Sequence, residues 1–228
     1  MTTRRPGLQR KWSHVVNSLQ RVVPSYELAS SRIALFGDGK MRRAVADFLT
    51  GSEGAILDLG SGPGTMAKAL RKARLAVVLL DISRPMLKAS GSPDSVQGLF
   101  EHLPFRDSSF AGAASSYAIR DSRDLPAALS ELARVVRPGG RVGVCDLGKP
   151  DSPVKGLLVA AYLRTVPSVL GLVTAGRQGL AYGSLFDTYV LTLPNSSLLA
   201  AFSRHFGGVT IAEPNLGASI VLTATRPR

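Results

Sequence analysis

Length, composition and charge limit both the architecture of the chain and its partners. The 228 residues, 45% of them hydrophobic, suit one α/β domain with additions. The single cysteine excludes an internal disulfide and a cysteine-based metal site, and we expect no bound metal. The net charge of +12 favours an anionic partner, which is a phospholipid surface, a nucleic acid or an acidic small molecule.

The first fifty residues predict a basic arm followed by a helical lid. Residues 1–11 are basic and contain no acid, which suits either a solubilising tail or a binding arm. Residues 12–48 are predicted to be mostly helical, with breaks near Pro24 and at 37–39. Because no apolar segment follows the Arg4-Arg5 pair, we expect no export signal and a cytoplasmic protein.

Residues 51–228 form the second predicted unit, in which strands alternate with helices. This βαβα rhythm predicts a mainly parallel sheet with helices on both faces. Strands are predicted at 55–59, 75–80, 111–119 and 141–146, helices at 65–74, 85–90 and 125–136, and a sharp turn at 138–140.

The end of the chain predicts a helix and a hairpin. The helix covers 196–206, with Asn195 or Ser196 as its cap. Strands at 208–213 and 218–224 follow, so the sheet is expected to end with an antiparallel strand. Residues 151–183 are predicted to be an apolar helical insertion before this tail.

A glycine-rich loop follows the first predicted strand. Its residues Gly60, Ser61, Gly62 and Gly64 stand between a strand and a helix, where glycines permit a tight turn and let a ligand contact bare backbone. Asp81 lies 21 positions beyond Gly60, at the end of the next strand. That spacing places its carboxylate at the neighbouring strand tip, where it can accept both hydroxyls of a ribose.

The details of the loop favour S-adenosylmethionine over a dinucleotide. The spacing is G-x-G-x-G rather than G-x-G-x-x-G, and no G-K-[ST] of a phosphate-binding loop is present. Asp58, beside the loop, would repel a pyrophosphate and attract an ammonium group. S-adenosylmethionine carries an ammonium, a sulfonium and a ribose and no phosphate. The alternative role for Asp58 is structural, as a helix cap or a bond to the loop.

Several segments resemble the class I S-adenosylmethionine-dependent methyltransferases, namely 56–64, 80–87, 103–110 and 134–140. Within this class, 117–124 resembles the F-G-[LI]-R-N-x-x-D segment of the ubiquinone/menaquinone C-methyltransferases. The resemblance implies a Rossmann-like, doubly wound α/β fold. Its sheet would be mainly parallel and seven-stranded, with a C-terminal antiparallel hairpin and an added N-terminal helical segment. It also implies methyl transfer from S-adenosylmethionine to a demethylated, quinol-like lipid.

The resemblance assigns cofactor contacts, with two departures from the family pattern. Leu99 stands where many relatives carry Asp or Asn for the adenine amine, so adenine would be held by Phe100 and backbone groups. Asp121 replaces the family Asn. The cofactor contacts implied are Asp58, Gly60, Ser61, Gly62, Gly64, Asp81, Ile82, Phe100, Glu101 and Tyr117.

Two residues are predicted to serve catalysis. Carbon methylation needs an activated ring carbon, which a base and a cation beside a phenolate would provide. Arg120, just after the fourth core strand, is the candidate phenolate stabiliser, and a surface salt bridge with Asp121 or Asp124 is equally favoured. Tyr26 is a candidate lid or substrate residue, with a packed helix aromatic as the alternative.

Other interpretations of the acceptor and the surface stay open. The stretch 156–174 fits a core-packing helix pair, a wall for an isoprenoid tail, or a surface that enters a bilayer. The basic first fifty residues would then face anionic headgroups, which predicts peripheral membrane contact. The charge also suits an RNA methyltransferase. A non-catalytic cofactor-binding subunit is the third function that fits the sequence.

Overall fold

Strands and helices alternate in the computed structural model, which describes residues 38–175, 186, 189, 190 and 192–228. The expected basic arm, most of the expected lid and Tyr26 lie outside these residues. In chain order the helices are α1 (Asp38–Leu49), α2 (Thr65–Lys72), α3 (Arg84–Ser90), α4 (Leu125–Val135), α5 (Pro153–Ala175) and α6 (Asn195–Ser203). The strands are β1 (Ile56–Leu59), β2 (Val77–Asp81), β3 (Ser95–Gln97), β4 (Phe110–Ser116), β5 (Val136–Leu147), β6 (Gly207–Ala212) and β7 (Ser219–Thr225).

The seven strands form one sheet in the order β3-β2-β1-β4-β5-β7-β6. The pairs from β3 across to β5 are parallel, whereas β7 is antiparallel to both β5 and β6. This confirms the predicted doubly wound, mainly parallel sheet with a C-terminal antiparallel hairpin. Because β1 is central, the turn after it lies between the ends of β2 and β4, where open α/β sheets bind their ligands.

Apolar side chains cover both faces of the sheet, because alternate residues of each strand point to opposite sides. The central strand β1 is buried along its whole length, which explains its continuous apolar run. Leu57 and Leu59 pack with α4 and α6 on one face, through residues such as Leu129, Leu132 and Phe202. Ile56 packs with α1 and α2 on the other face, through residues such as Val45, Leu49, Met66 and Leu70.

Side-chain caps fix the residues at which α3 and α4 begin. The Ser83 side chain accepts a hydrogen bond from the Met86 amide at the start of α3. The Asp124 side chain accepts one from the Ala127 amide at the start of α4. Each helix also has proline in its first turn, where the missing N–H costs no helical hydrogen bond. These caps hold the loops after β2 and β4 against the same edge of the sheet.

Two features of the sheet differ from the sequence prediction. The short edge strand β3 was not predicted, because its three residues Ser95-Val96-Gln97 contain one apolar side chain. Residues 138–140, predicted as a turn, are instead part of β5. They coincide with a shift in the pairing register of β4 and β5, between the pairs Phe110↔Val136 and Gly112↔Arg141. The Gly139 amide donates to Arg226 O and the Arg226 amide to Gly140 O, so pairing with the chain end keeps this segment in the sheet.

The apolar insertion contains α5, a single helix of 23 residues rather than a helix pair. Its Val159 and Leu163 are buried against Tyr189 and Ala218, where they form a small third cluster. Neither α5 nor any other helix of the described residues combines the length and the hydrophobicity required to cross a membrane.

Candidate active site

A cavity opens at the carboxyl edge of the sheet, beside the glycine-rich loop. It spans about 1090 Å³, counting the space at its mouth. Its walls come from the loops after β1 to β4 and from Arg42 of α1. It brings together nine of the predicted site residues, which are Gly60, Ser61, Gly62, Asp81, Ile82, Phe100, Glu101, Tyr117 and Arg120.

The glycine-rich loop shapes the floor of the cavity. Gly60 has a φ of +75°, and a Cβ atom there would stand 2.3 Å from the Ala118 Cβ and 2.9 Å from the Phe100 ring. Only glycine fits this position. Gly62 has a φ of +53°, and a Cβ there would meet no atom of the described chain within 4 Å. The Gly62 backbone therefore faces open space with no side chain in front of it, which leaves room for a ligand.

Asp81 lies at the end of β2 with its carboxylate fixed by backbone amides. Its Oδ2 accepts from the Gly62 amide at 2.8 Å, and its Oδ1 accepts from the Ser83 amide at 2.7 Å. Burial raises the pKa of Asp81, and these two amides oppose that shift. Each carboxylate oxygen has a further lone pair after these bonds. Asp81 is thus oriented as an acceptor for hydroxyl groups in the cavity.

Two polar side chains beside the loop are buried without a hydrogen-bond partner among the described residues. They are the Asp58 carboxylate, through both of its oxygens, and the Ser61 hydroxyl. Burial raises the pKa of Asp58 to about 7. Unlike Ser61, Asp58 does not line the cavity, because its side chain is completely buried within β1. Gly64 is also absent from the cavity wall, since a Cβ atom there would face Ser90 and Leu79.

Aromatic and acidic side chains form the wall opposite the loop. The Glu101 Oε1 accepts from the Arg123 amide at 2.7 Å and from the Asp124 amide at 3.1 Å, which ties this wall to the start of α4. Tyr117 follows β4 with a φ of +56°, and its ring lies 5.5 Å below the Arg42 guanidinium. Burial raises the pKa of Tyr117, so its hydroxyl stays protonated.

Arg120 is not a surface residue, because its side chain is only 11% exposed. It forms a buried ion pair with Asp146 near the end of β5 and lies 3.6 Å from the Asp121 carboxylate. Of the two salt-bridge partners predicted, Asp121 is therefore adjacent, whereas the Asp124 side chain accepts from the Ala127 amide at the start of α4. Asp146 was missed by the sequence analysis, because no local pattern links it to a residue 26 positions earlier.

Arg42 is a second site residue that the sequence analysis missed. Its Nε donates to the Ser116 hydroxyl at 2.9 Å, and its NH1 donates to Asp38 at 2.6 Å. The first bond joins α1 to the end of β4, so the helix before the sheet contributes a cation to the cavity. The only sequence signal was the expected helical lid before the core.

Leu99 and Asp121, the two departures from the family pattern, also line the cavity, whereas the exposed His102 does not.

Comparisons with known proteins agree with this architecture. A family profile described as a methyltransferase domain matches residues 57–144. A demethylmenaquinone methyltransferase of Corynebacterium kroppenstedtii is 31% identical over 98% of this chain and 99% of its own length. One of Corynebacterium glutamicum is 32% identical over 91% of this chain and 90% of its own length. The chain belongs to the S-adenosylmethionine-dependent methyltransferase family that includes these relatives.

Solved structures share the fold of this methyltransferase. An S-adenosylmethionine-dependent methyltransferase of Thermotoga maritima has a TM-score of 0.66 at 19% identity, covering 92% of this chain and 98% of its own. One of Aquifex aeolicus has a TM-score of 0.57 at 15% identity, covering 86% and 93%. These structures confirm the expected fold. Membership of the S-adenosylmethionine-dependent methyltransferase family confirms the expected enzyme class and the cofactor S-adenosyl-L-methionine.

The residues of the methyltransferase fit this cofactor. The open space at Gly62 suits a ligand in backbone contact, and the Asp81 carboxylate suits the hydroxyls of a ribose. The unpartnered Asp58 carboxyl and Ser61 hydroxyl place further hydrogen-bonding groups close to the loop. Among the described residues, no group of three or more metal-ligating side chains comes together.

Proposed function

We propose that the methyltransferase transfers a methyl group to a ring carbon of a demethylated, quinol-like lipid. The observation that carries the proposal is the 31% identity to a demethylmenaquinone methyltransferase over 98% of this chain. The match extends well beyond residues 57–144, which the general methyltransferase profile covers. It therefore includes the segments outside the cofactor loops, which in this fold differ most between acceptors.

The cavity holds groups suited to a phenolic ring. Arg42, Tyr117, Arg120 and Asp121 all line it. S-adenosylmethionine supplies, when bound, an electrophilic methyl group on a sulfonium. The protein's task is to place the acceptor carbon and to raise its electron density by removing the hydroxyl proton. A cation beside the resulting phenolate stabilises it, and we assign this role to Arg120.

Asp121 is the proton acceptor in this proposal. It lines the cavity, and burial raises its pKa while the charge of Arg120 opposes the shift. A raised pKa of the carboxyl group lies nearer to the pKa of a phenol, so the carboxylate is a better base for the hydroxyl proton. Asp146, on the other side of Arg120, does not line the cavity and holds the guanidinium in place. The hydroxyl proton passes to Asp121, which is partly exposed and releases it to water. The ring carbon that has gained the methyl group then loses its own proton to the Asp121 carboxylate, which restores aromaticity.

The test is methylation of a short-tailed demethylmenaquinol, kept reduced, with methyl-labelled S-adenosylmethionine. We expect a product heavier by one methyl group, with the label on a ring carbon by mass spectrometry and NMR. The oxidised quinone is the matched control, because it has no hydroxyl proton to lose, and it should not react. Label on oxygen, or no label at all, would contradict the proposal.

RNA methylation is the second candidate, and the net charge of +12 favours it. Exposed cations of α1 and α2, including Arg43, Lys68 and Lys72, line a second cleft between these helices, which has a volume of about 1020 Å³ counting the space at its mouth. Structured RNA incubated under the same conditions separates the two candidates. Labelled RNA together with unlabelled quinol would replace the first proposal with the second.

A further inference from the structure

Exposed apolar residues concentrate on and around α5. Val154 is 70% exposed, Leu157 71% and Leu158 56%. Within the described chain, the other large hydrophobic side chains that are exposed come from the segments that follow, and they are Val190, Leu193 and Leu216. Val190 lies near the start of α5, since the hydroxyl of its neighbour Tyr189 donates to the Gly156 carbonyl at 3.1 Å. Single exposed apolar residues are normal, but a cluster at one place marks a contact surface.

The exposed large apolar residues of α5 lie on one side of the helix. Positions 154, 157, 158 and 161 follow the i, i+3, i+4, i+7 spacing of a single helical stripe. We call Val154, Leu157, Leu158 and Ala161 the apolar stripe. Val159 and Leu163 point to the opposite side, where they are buried against Tyr189 and Ala218. Packing against the described part of the domain therefore does not account for the apolar stripe.

The charges of α5 flank the apolar stripe on both sides. Lys155 and Arg164 are the charged residues of this helix, and both are exposed. By the 3.6-residue repeat they lie roughly 90° to either side of the stripe. No acidic residue occurs between Pro153 and Ala175. A stripe of leucine and valine between two cations matches a helix lying in the interface of an anionic bilayer, with its cations among the headgroups.

The apolar stripe and the cavity share one edge of the molecule. The helix α5 follows the carboxyl end of β5, and it packs on Ala218 at the start of the antiparallel β7. The cavity opens at the carboxyl ends of β1, β2 and β4, which is the same edge. No described side chain of α5 lines the cavity, so the stripe is not a wall of the cofactor site.

We propose that the apolar stripe is a membrane-docking surface, which rests in the headgroup layer of an anionic bilayer with the cavity edge turned towards the lipid. The flanking cations favour this occupant over a second copy of the chain, which would bring like charges together. The stripe also offers few residues compared with the ~20–30 per partner of a standard protein interface. The inference stands on this surface and does not depend on which acceptor is methylated.

The test is co-sedimentation of the full chain with vesicles of phosphatidylglycerol and phosphatidylcholine. We expect the double variant Leu157→Ser/Leu158→Ser to bind about tenfold or more weakly than the unaltered protein. Both side chains are largely exposed, so the melting temperature and the affinity for S-adenosylmethionine should stay unchanged. Those two measurements separate a lost membrane contact from a lost fold.

Two double variants, each of which removes two positive charges, supply the matched control. Lys155→Gln/Arg164→Gln should weaken binding to these vesicles, whereas Lys88→Gln/Arg137→Gln removes the same charge from exposed positions of α3 and β5 and should have little effect. Equal binding by the serine variant and the unaltered protein would overturn the proposal. So would a dimer in sedimentation velocity that the serine variant dissociates, without vesicle binding. Methylation of a short-tailed, water-soluble acceptor should be the same in all variants, so failure of the docking surface is distinguishable from failure of the proposed reaction.

Discussion

The buried carboxyl of Asp58 should make the stability of the cofactor-free enzyme depend on pH. Its pKa is 3.8 when exposed and about 7 in the folded chain. Between these values the unfolded chain loses the proton while the folded chain keeps it, so stability falls as the pH rises. The loss is complete once the pH exceeds the folded pKa. Asparagine has nearly the same shape and never carries a charge, so Asp58→Asn should remove this dependence.

The size of the effect follows from the two pKa values. At ~1.4 kcal/mol per pKa unit, the full difference corresponds to about 4 kcal/mol. From about pH 5 to about pH 8, about 2–3 kcal/mol of it should be lost. At ~2–4 °C per kcal/mol for a chain of this size, the melting temperature of the unaltered protein should fall roughly 5–10 °C further than that of Asp58→Asn.

Thermal melts of both proteins at several pH values measure the difference directly. Asp94→Asn is the control, because it removes an exposed carboxylate at the edge of the sheet. Parallel profiles of the unaltered protein and Asp58→Asn would refute the reasoning. If the cofactor's ammonium also interacts with Asp58, affinity for S-adenosylmethionine should rise with pH through 7 in the unaltered protein and stay flat in Asp58→Asn.

Three further predictions concern the cavity. Asp81→Ala should weaken S-adenosylmethionine binding by about 1–3 kcal/mol, because charged acceptors are lost, and unchanged calorimetry would show that the ribose lies elsewhere. Gly62→Ala should place a methyl group in the open space of the cavity, so cofactor affinity should drop about tenfold while stability falls by only ~1 kcal/mol. Unchanged cofactor affinity would show that no ligand approaches the backbone at Gly62. Asp121→Asn should lower kcat for the quinol about 10²-fold without altering cofactor affinity, and an unchanged kcat would remove Asp121 from the role of base.

The cofactor half of the site could be predicted because its determinants are local. Gly60 and Gly62 adopt a positive φ, which a tight strand-to-helix turn requires and glycine provides most easily. Asp81 ends the next strand, so the spacing along the chain fixes its place beside the loop. The alternation of apolar segments fixed the sheet in the same way. The three-residue β3 escaped prediction because its stability comes from pairing with β2 rather than from its own pattern.

The acceptor half depends on contacts between distant parts of the chain. Arg42 reaches Ser116 across 74 positions, and Arg120 reaches Asp146 across 26. Neither pair has a spacing that a helix or a strand repeats, so a single sequence offers no pattern for it. Arg120 was therefore identified by resemblance, whereas the buried acid that holds it was not. The shape of the acceptor pocket is the part of this fold that tertiary packing decides.

The helix α5 shows why composition alone cannot separate a core helix from a membrane-facing one. An apolar segment with weak periodicity predicts a helix that is buried on all sides. In α5 only one side is buried, through Val159 and Leu163. Whether the exposed side of α5 faces a membrane is indicated by the position of the two cations relative to the exposed leucines. That position can be interpreted only when the buried side of the helix is known. Lys155 and Arg164 then become the borders of a surface instead of interruptions in a core. An enzyme whose acceptor is lipid-like gains from such a surface at its cavity edge, because docking there shortens the path of the acceptor from the bilayer to Arg120 and Asp121.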